Sequence, residues 1–216
     1  MSNKAVIFDM DGTLLDSLKD IGICTNIVLE EFNLPTHKLE NYKDFVGGGA
    51  MVLLENSTPD DISKETLDKL FNRFIEVYEM SVKDETKPYE GIDELLKALQ
   101  KRNIKMGILS NKLHKLTVKY YEKFFIEYNM SEVHGQKENI PKKPDPIVAI
   151  KIAENLGLEC KDILFVGDSD VDILTAKNAG MIAVGVSWGF RGVDELIEHG
   201  ADYIVKTPQD ILELLK

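Results

Sequence analysis

The fold is set by a stretch near the start of the chain, AVIFDMDGT at residues 5–13. Residues 5–8 are apolar without polar alternation, which is typical of a strand buried on both faces of a parallel sheet. Asp9 and Asp11 follow where this strand ends, and an extended chain would direct both carboxylates to one face. A loop can separate the two, so that one attacks a substrate while the other transfers a proton. Gly12 supplies the turn, although two aspartates can also merely mark a strand exit.

Composition and charge narrow the possible functions. The 216 residues are 44% hydrophobic, enough for a substantial core, and the formal net charge is −11. Nucleic-acid binding relies on clustered Lys and Arg side chains, so we expect no nucleic-acid partner. We see no apolar run long enough for a secretory segment or a membrane span, and Cys24 and Cys160 lack metal-ligand spacing. We therefore expect reduced thiols, a cytoplasmic location and no membrane partner.

Alternating strands and helices are predicted along most of the chain. Apolar runs like the first recur at residues 104–109, 163–166 and 182–186. Apolar residues at helical spacing predict amphipathic helices around residues 92–99 and 148–156, and a third helix is expected to end at Gly180. A last helix is predicted to begin after Thr207, with Pro208 at its first position. This alternation indicates an α/β fold built on a parallel sheet.

Residues 17–84 differ from the rest of the chain. They contain no strand-like run, but apolar residues follow helical spacing in residues 18–32 and 67–78. Because the first strand precedes this stretch and the other strands follow it, we predict an all-helical insertion into the α/β core. The expected core is residues 1–16 and 85–216, and the insertion, residues 17–84, could act as a lid. Helices that merely extend the core are the alternative.

Polar groups follow the second apolar run, at the sheet edge where ligands bind in open parallel sheets. These are Ser110, Asn111 and Lys112. Their hydroxyl, amide and backbone N–H groups, expected at the start of a helix, suit a phosphate oxygen. The alternative is that Ser110 and Asn111 only cap that helix.

Acidic groups follow the third apolar run. Asp168, Asp170 and Asp172 lie within five residues and repel one another unless a cation or a helix dipole compensates them. Such hard oxygen ligands suit Mg²⁺, and the alternative is a helix N-terminus with favourable acidic residues. Lys143, before another predicted helix, could offset the charge of carboxylates and a phosphate, or lie in a solvated loop.

Together, these features resemble the haloacid dehalogenase superfamily. Its four motifs occur in order: Asp-x-Asp-Gly-Thr at residues 9–13, Ser110, Lys143 in Lys-Pro-x-Pro, and Gly-Asp-x-x-x-Asp at residues 167–172. The resemblance covers the whole chain. It implies a Rossmann-like parallel sheet core, with residues 17–84 as an inserted all-helical cap domain of the type called C1.

The resemblance also implies catalytic roles. Asp9 is the expected nucleophile, which forms an aspartyl-phosphate, and Asp11 is the expected general acid and then base. The phosphoryl group is expected to be bound by Ser110, the backbone N–H of Asn111, and Lys143. These groups would stabilise the negative charge of the transition state.

A metal site follows from the same resemblance. Mg²⁺ is the expected cofactor, held by Asp9, the backbone carbonyl of Asp11, and Asp168. Asp172 is expected to orient the site without binding the ion directly. The cation would address the charge that the transition state spreads over the phosphoryl oxygens.

Further stretches look like the phosphoglycolate phosphatase branch of this superfamily. They are residues 16–17, 46–50, 110–112 and 186–191. The best single substrate is then 2-phosphoglycolate. Gly48 and Gly49 would let the cap backbone approach a small anionic substrate, unless they form only a flexible turn, and Lys112 is a further substrate candidate. The chain departs from the branch at residues 125–129, where an apolar strand is common, so the register of this strand is open.

The expected activity is hydrolysis of a phosphomonoester on a small phosphorylated metabolite. Pyrophosphatases and broader sugar or nucleotide phosphatases of the same branch are alternatives. A phosphomutase resembling β-phosphoglucomutase would return the phosphoryl group to a sugar, but such enzymes often carry Val where this chain has Thr13. A non-catalytic phosphate-binding regulator would not need the full set of carboxylates. Both a monomer and a homodimer fit the sequence.

Overall fold

A six-stranded parallel sheet forms the centre of the computed structural model, which describes residues 4–81 and 85–215. The strands are β1 (Ala5–Phe8), β2 (Leu15–Asp16), β3 (Lys87–Pro88), β4 (Lys105–Leu113), β5 (Met130–Gln136), β6 (Ile163–Gly167), β7 (Ile182–Val186) and β8 (Tyr203–Val205). The large sheet has the order β5-β4-β1-β6-β7-β8, and every neighbouring pair is parallel. The predicted α/β fold is confirmed.

Ten helices surround this sheet or lie in the insertion, within the described residues. They are α1 (Leu18–Glu31), α2 (Tyr42–Phe45), α3 (Ala50–Ser57), α4 (Lys64–Ser81), α5 (Ile92–Lys101), α6 (His114–Phe124), α7 (Ile147–Leu156), α8 (Asp170–Ala179), α9 (Val193–Glu198) and α10 (Ile211–Leu214). Short 3₁₀ helices occupy Leu39–Asn41, Cys160–Asp162 and Pro208–Asp210. Thr207 caps the last of these with Pro208 at its first position, as predicted, and α8 ends at Gly180.

The central strand β1 is buried on both faces, because its alternate side chains enter two different hydrophobic clusters. Val6 and Phe8 join a large cluster with residues of the insertion, and Ala5 and Ile7 join a smaller one with α7 and α8. This double burial explains the continuous apolar run. It also fixes Asp9 at the carboxyl edge, between the edges of β4 and β6.

The end of β4 and the start of β5 differ from what the sequence suggests. The structure places Ser110, Asn111 and Lys112 at the end of β4, and α6 begins only at His114, so the expected helix start at these residues is wrong. Pairing with β5 sustains the strand to Leu113, through an irregular register. The position of the strand near residues 125–129 was left open by the sequence. These residues form a turn, and the strand itself, β5, begins at Met130.

The insertion contributes helices α1 to α4, between β2 and β3. These two strands form a short antiparallel ladder in which Leu15 pairs with Pro88 and Asp16 with Lys87. The ladder therefore places the start and the end of the helical stretch side by side. No helix in residues 4–81 and 85–215 is both long and apolar enough to cross a membrane.

Candidate active site

The loop after β1 carries the first acidic motif. The backbone N–H of Asp9 donates to the carbonyl of Val166 at 2.9 Å, which continues the parallel pairing one residue beyond the strand. The loop then turns at Gly12, whose φ of +88° lies in the left-handed region. A Cβ atom there would overlap the carboxylate of Asp168, so only glycine fits.

Lys143 binds two carboxylates at the centre of the site. Its Nζ lies 2.8 Å from Oδ1 of Asp9 and 2.6 Å from Oδ1 of Asp172, and all three side chains are buried. Burial raises the pKa of Asp9 to about 7, although Lys143 acts in the opposite direction. Burial alone would lower the pKa of Lys143, but the charges of Asp172 and Asp9 outweigh it and raise that pKa above its usual value.

Asp168 lies against the same group. One of its oxygens accepts the backbone N–H of Phe190 at 2.8 Å, and the other lies 3.3 Å from the hydroxyl of Thr13. Burial, followed by the negative charges of Asp172 and Asp9, holds the pKa of Asp168 well above its ordinary value. Carboxylate oxygens of Asp9, Asp168 and Asp172 all lie within 4.8 Å of one another.

This acidic group suits a divalent cation. The buried carboxylates supply the hard oxygen ligands that Mg²⁺ and Ca²⁺ prefer, and a cation would offset their mutual repulsion. Both oxygens of Asp172 are already bound, one by Lys143 and the other by the N–H and the hydroxyl of Ser169, at 3.1 and 2.7 Å. Asp9 meets Lys143 through one oxygen only, and the two hydrogen bonds to Asp168 come from uncharged groups, so Asp9 and Asp168 are the better candidates for direct ligands.

Asn111 fixes the loop that carries Lys143. Its side-chain oxygen accepts the N–H of Lys143 at 3.0 Å, and its amide nitrogen donates to the carbonyl of Lys143 at 3.2 Å. The side chain of Asn111 is thus engaged in holding loops together. Ser110 is buried beside it, and its hydroxyl accepts the N–H of Lys112 at 3.2 Å.

Asp11 lies on the insertion side of the site. Its carboxylate oxygens lie 2.8 and 3.0 Å from Nζ of Lys112, and one also accepts the hydroxyl of Ser17 at 2.6 Å. Lys112 in turn donates to the hydroxyl of Tyr78, on α4, at 2.8 Å. The motifs do not reveal Ser17 as a partner of Asp11 or Tyr78 as a partner of Lys112. The only sequence signals were the stretch at residues 16–17 and the helical apolar stripe that contains Tyr78.

Three consecutive carbonyls of the insertion are bound by core side chains, and we call Val46, Gly47 and Gly48 the carbonyl triplet. Arg191 donates to the first at 3.2 Å, Asn111 to the second at 3.0 Å and Lys142 to the third at 2.6 Å. The three donors come from three parts of the core: Asn111 from β4, Lys142 from the loop before α7 and Arg191 from the loop after β7. Sequence reasoning did not identify Arg191 or Lys142 as contact residues, because hydrogen bonds to backbone carbonyls have no sequence pattern.

A cavity of about 70 Å³ lies between the insertion and the sheet edge. Six of the predicted site residues line it: Asp9, Asp11, Ser110, Asn111, Lys143 and Asp168. Lys112 and Gly49 also line it, whereas Gly48 lies outside, with its carbonyl bound to Lys142. Trp188 lies outside it as well and donates its indole N–H to the carbonyl of Thr13 at 3.0 Å.

The insertion gives this cavity an apolar wall. Ile21, Leu53 and Phe74 line it from α1, α3 and α4. The charged groups lie on the opposite side, at the ends of the core strands. A bound ligand would therefore meet its charged partners on the core, and the insertion would exclude water.

Comparison with known proteins shows the family to which the chain belongs. The fold is a Rossmann-like α/β fold with a parallel sheet, and a model of the haloacid dehalogenase-like hydrolase family matches residues 6–186. The chain belongs to this family. The resemblance read from the four motifs is thereby confirmed.

The most similar relatives span nearly the whole chain. A phosphoglycolate phosphatase of Aquifex aeolicus is 32% identical, covering 98% of this chain and 96% of that protein. A phosphoglycolate phosphatase of Chromobacterium violaceum is 30% identical, covering 99% of this chain and 96% of that protein. A crystal structure from Lactobacillus delbrueckii subsp. bulgaricus has a TM-score of 0.93 at 29% identity, covering 100% of this chain and 99% of that chain. With the family, these relatives identify the chain as a phosphatase.

Proposed function

We propose that this phosphatase uses Mg²⁺ to hydrolyse small phosphomonoesters, and that 2-phosphoglycolate is its best substrate. The observation that carries the proposal is the buried group of Asp9, Lys143 and Asp168 beside Asp11, at the bottom of a small cavity. This arrangement combines a nucleophile, a cation for the phosphoryl oxygens and a separate carboxylate for proton transfer.

The first half-reaction is a displacement at phosphorus. A carboxylate oxygen of Asp9 attacks, the bond between phosphorus and the leaving oxygen breaks, and Asp11 gives its proton to that oxygen. Ser110, the N–H of Asn111 and Lys143 bind the phosphoryl oxygens during the transfer. In the second half, Asp11 takes a proton from water, which attacks phosphorus and releases phosphate and free Asp9.

The metal proposal rests on the chemistry of the donor set. Asp9, Asp168 and the backbone carbonyl of Asp11 would hold the cation, while Asp172 orients Lys143 and the loop of Ser169. A bound Mg²⁺ neutralises charge on the transferring phosphoryl group. The three-carboxylate group alone fits several divalent cations, and the small cavity and phosphoryl chemistry favour Mg²⁺ over larger ions.

The size of the cavity supports a small substrate. A water molecule needs about 10–15 Å³ on this volume scale, so about 70 Å³ admits only a few atoms beyond a phosphate. Sites for larger organic ligands are commonly about 300–1,000 Å³. A nucleotide would therefore have to displace the insertion, whereas 2-phosphoglycolate, the substrate in the names of the relatives, is small.

We further propose that residues 17–84 form a cap domain that closes over residues 1–16 and 85–216. The adjacent ends of the insertion and the bound carbonyl triplet support this division. The absence of a membrane-crossing helix among the described residues is compatible with a cytoplasmic enzyme, our proposed location. Its partner would be a small phosphorylated metabolite, with the enzyme acting as a monomer or a homodimer.

The proposal is tested by phosphate release with and without Mg²⁺, across 2-phosphoglycolate, pyrophosphate, hexose phosphates and nucleotides. Asp9→Asn should abolish turnover, while Asp60→Asn, an exposed substitution of the same kind, should not. Metal-dependent turnover that favours 2-phosphoglycolate is the expected result. Preference for another ester would overturn the substrate assignment. Transfer between sugar positions without phosphate release would indicate a mutase, and no turnover of any kind a binding protein.

A further inference from the structure

Lys112 is held in one place by an unusual set of contacts. Its side chain is only 5% exposed, and its Nζ lies 4.7 Å from the ring centre of Tyr78 and 4.6 Å from that of Tyr120. The two rings come from α4 of the insertion and α6 of the core, and their hydroxyls are hydrogen-bonded at 3.1 Å. Attraction between a cation and the two ring faces stabilises this position. The ammonium group is therefore preorganised on the cavity wall.

In its ionised form, which the second half-reaction requires, Asp11 is the anion that balances Lys112. An ammonium group has three N–H donors, and here they meet the two oxygens of Asp11 and the hydroxyl of Tyr78, at 2.8 to 3.0 Å. Lys143, the other buried lysine on this wall, is engaged by Asp9 and Asp172. Lys112 is consequently the cation next to the proposed proton donor.

The proposed reaction brings the leaving group to this cation. A leaving oxygen that receives its proton from Asp11 must lie within about 2.6–3.2 Å of that carboxylate. In 2-phosphoglycolate a single CH₂ group separates the leaving oxygen from the substrate carboxylate. The substrate carboxylate therefore falls within reach of Nζ of Lys112, which is 2.8 Å from Asp11.

Among the described residues, those that line the cavity from the insertion offer the substrate carboxylate no cationic side chain. The lining from α1, α3 and α4 is apolar at Ile21, Leu53 and Phe74. Arg191 also lines the cavity, but it donates to the carbonyl of Val46 and lies near the carboxylates of Asp44 and Glu195, at 3.8 and 3.7 Å. A carboxylate turned toward the insertion would be desolvated without a cation.

We infer that Lys112 is a specificity-determining residue that binds the carboxylate of the leaving group. It would select phosphate esters of 2-hydroxy acids over esters with an uncharged leaving group. This inference rests on the proposed function and names the substrate class of the same site. On binding, the substrate carboxylate shares Lys112 with Asp11, which keeps its hydrogen bond from Ser17.

The test compares two esters that differ only in the carboxylate, 2-phosphoglycolate and ethyl phosphate, with Mg²⁺ present. A charged hydrogen bond supports an expected preference for 2-phosphoglycolate of about 10- to 150-fold in kcat/KM. In Lys112→Met both rates should fall, because Asp11 loses a partner, and the preference should fall to within about threefold of unity. An unchanged preference would show that Lys112 only positions Asp11, and would overturn the inference.

Lys115→Met is the matched control, because Lys115 lies on α6, exposed and paired with Glu79. It should keep the preference. A second test needs no variant: the wild-type enzyme should prefer 2-phosphoglycolate to its carboxyl methyl ester by the same factor, and equal kcat/KM values would overturn the inference. The two proposals fail differently. If neither ester is hydrolysed, the proposed function is wrong, whereas hydrolysis of all of them without preference removes only the role of Lys112.

Discussion

Lys143, one of two buried lysines at the site, is stabilised by two carboxylates that face it. Transfer of an isolated ammonium group into the interior is costly, and Asp9 and Asp172 offset that cost at 2.8 and 2.6 Å. The same burial acts on the carboxylates, and it raises the pKa of Asp9 to about 7. The charge of the site is thus balanced closely enough for a proton and a metal ion to compete for Asp9.

This competition predicts that metal affinity depends on pH. A metal ligand must be deprotonated, and with its pKa at about 7 Asp9 carries a proton at pH 6 in the metal-free protein. We expect Mg²⁺ to bind at least about tenfold more weakly at pH 6 than at pH 8, because Asp9 must release a proton near neutral pH and the raised pKa of Asp168 acts in the same direction. Calorimetric titration at both values measures this, in two buffers of different ionisation enthalpy to count the proton. Equal affinities, with no proton released, would contradict it.

The first, second and fourth motifs could be located from sequence because each follows an apolar run, whereas Lys143 follows no such run and rests on the resemblance to the family. Residues 5–8 and 163–166 are buried strands, so the positions of Asp9 and Asp168 at one sheet edge follow from the parallel order. The Lys112 contacts could not be predicted in this way. Tyr78 lies 34 residues earlier, on a helix whose apolar stripe indicates burial but not which core residue it meets.

At the level of elements, the short connection between α2 and α3 lies against Asn111, near the end of β4. Gly49 begins α3 with a φ of +89°, and a Cβ atom there would lie 2.9 Å from both the carbonyl oxygen of Asn111 and Oε1 of Gln136. Gly47 has a similarly positive φ of +109°, but a Cβ atom would have no neighbour within 4 Å. A side chain at either glycine would strain the backbone, but only a side chain at Gly49 would also collide with Asn111 and Gln136.

Substitution of these two glycines therefore separates strain from packing. Gly49→Ala should push the insertion away from Asn111, and we expect kcat/KM to fall at least about tenfold, mainly through KM. Gly47→Ala, with the same cost of a positive φ, should lower it by less than about threefold. Steady-state kinetics with 2-phosphoglycolate measure both. If the two variants behave alike, contact between this connection and the core does not matter for substrate binding.

Some element boundaries could be predicted from local sequence, whereas others depend on distant strand partners. The helix end at Gly180 and the cap at Thr207 are local signals, and the structure confirms both. The extension of β4 to Leu113 depends on its pairing with β5, and the pairing of Asp16 with Lys87 joins residues 71 positions apart. Local periodicity contains no information on such partners.

At the scale of the whole molecule, the insertion and the sheet share one hydrophobic cluster and the bound carbonyl triplet. Arg191 connects the two, from the loop after β7 to the carbonyls of Asp44 and Val46, at 3.4 and 3.2 Å. These hydrogen bonds are partly exposed, so their loss should loosen the contact without unfolding the protein.

Arg191→Met should therefore speed local opening of the insertion. We expect faster hydrogen–deuterium exchange in a peptide covering residues 42–50, and no change in one covering α7. The control is Arg73→Met, which removes ion pairs with Glu31 and Glu76 inside the insertion. It should leave exchange in residues 42–50 unchanged. Equal exchange in the Arg191 variant and the wild-type protein would show that other contacts suffice to hold the insertion closed.

The small ladder between β2 and β3 also bears on how the chain folds. β1 pairs with β4 across 100 residues, from Ala5 to Lys105, and such distant contacts slow folding because a long loop must be closed. Pairing of Leu15 with Pro88 closes the helical insertion into a separate loop whose two ends lie side by side. Once this ladder has formed, the chain between β1 and β4 is reduced to the loop before β2 and the segment after β3 that contains α5. Helices α1 to α4 then no longer add to the conformational entropy that is lost when β1 and β4 pair.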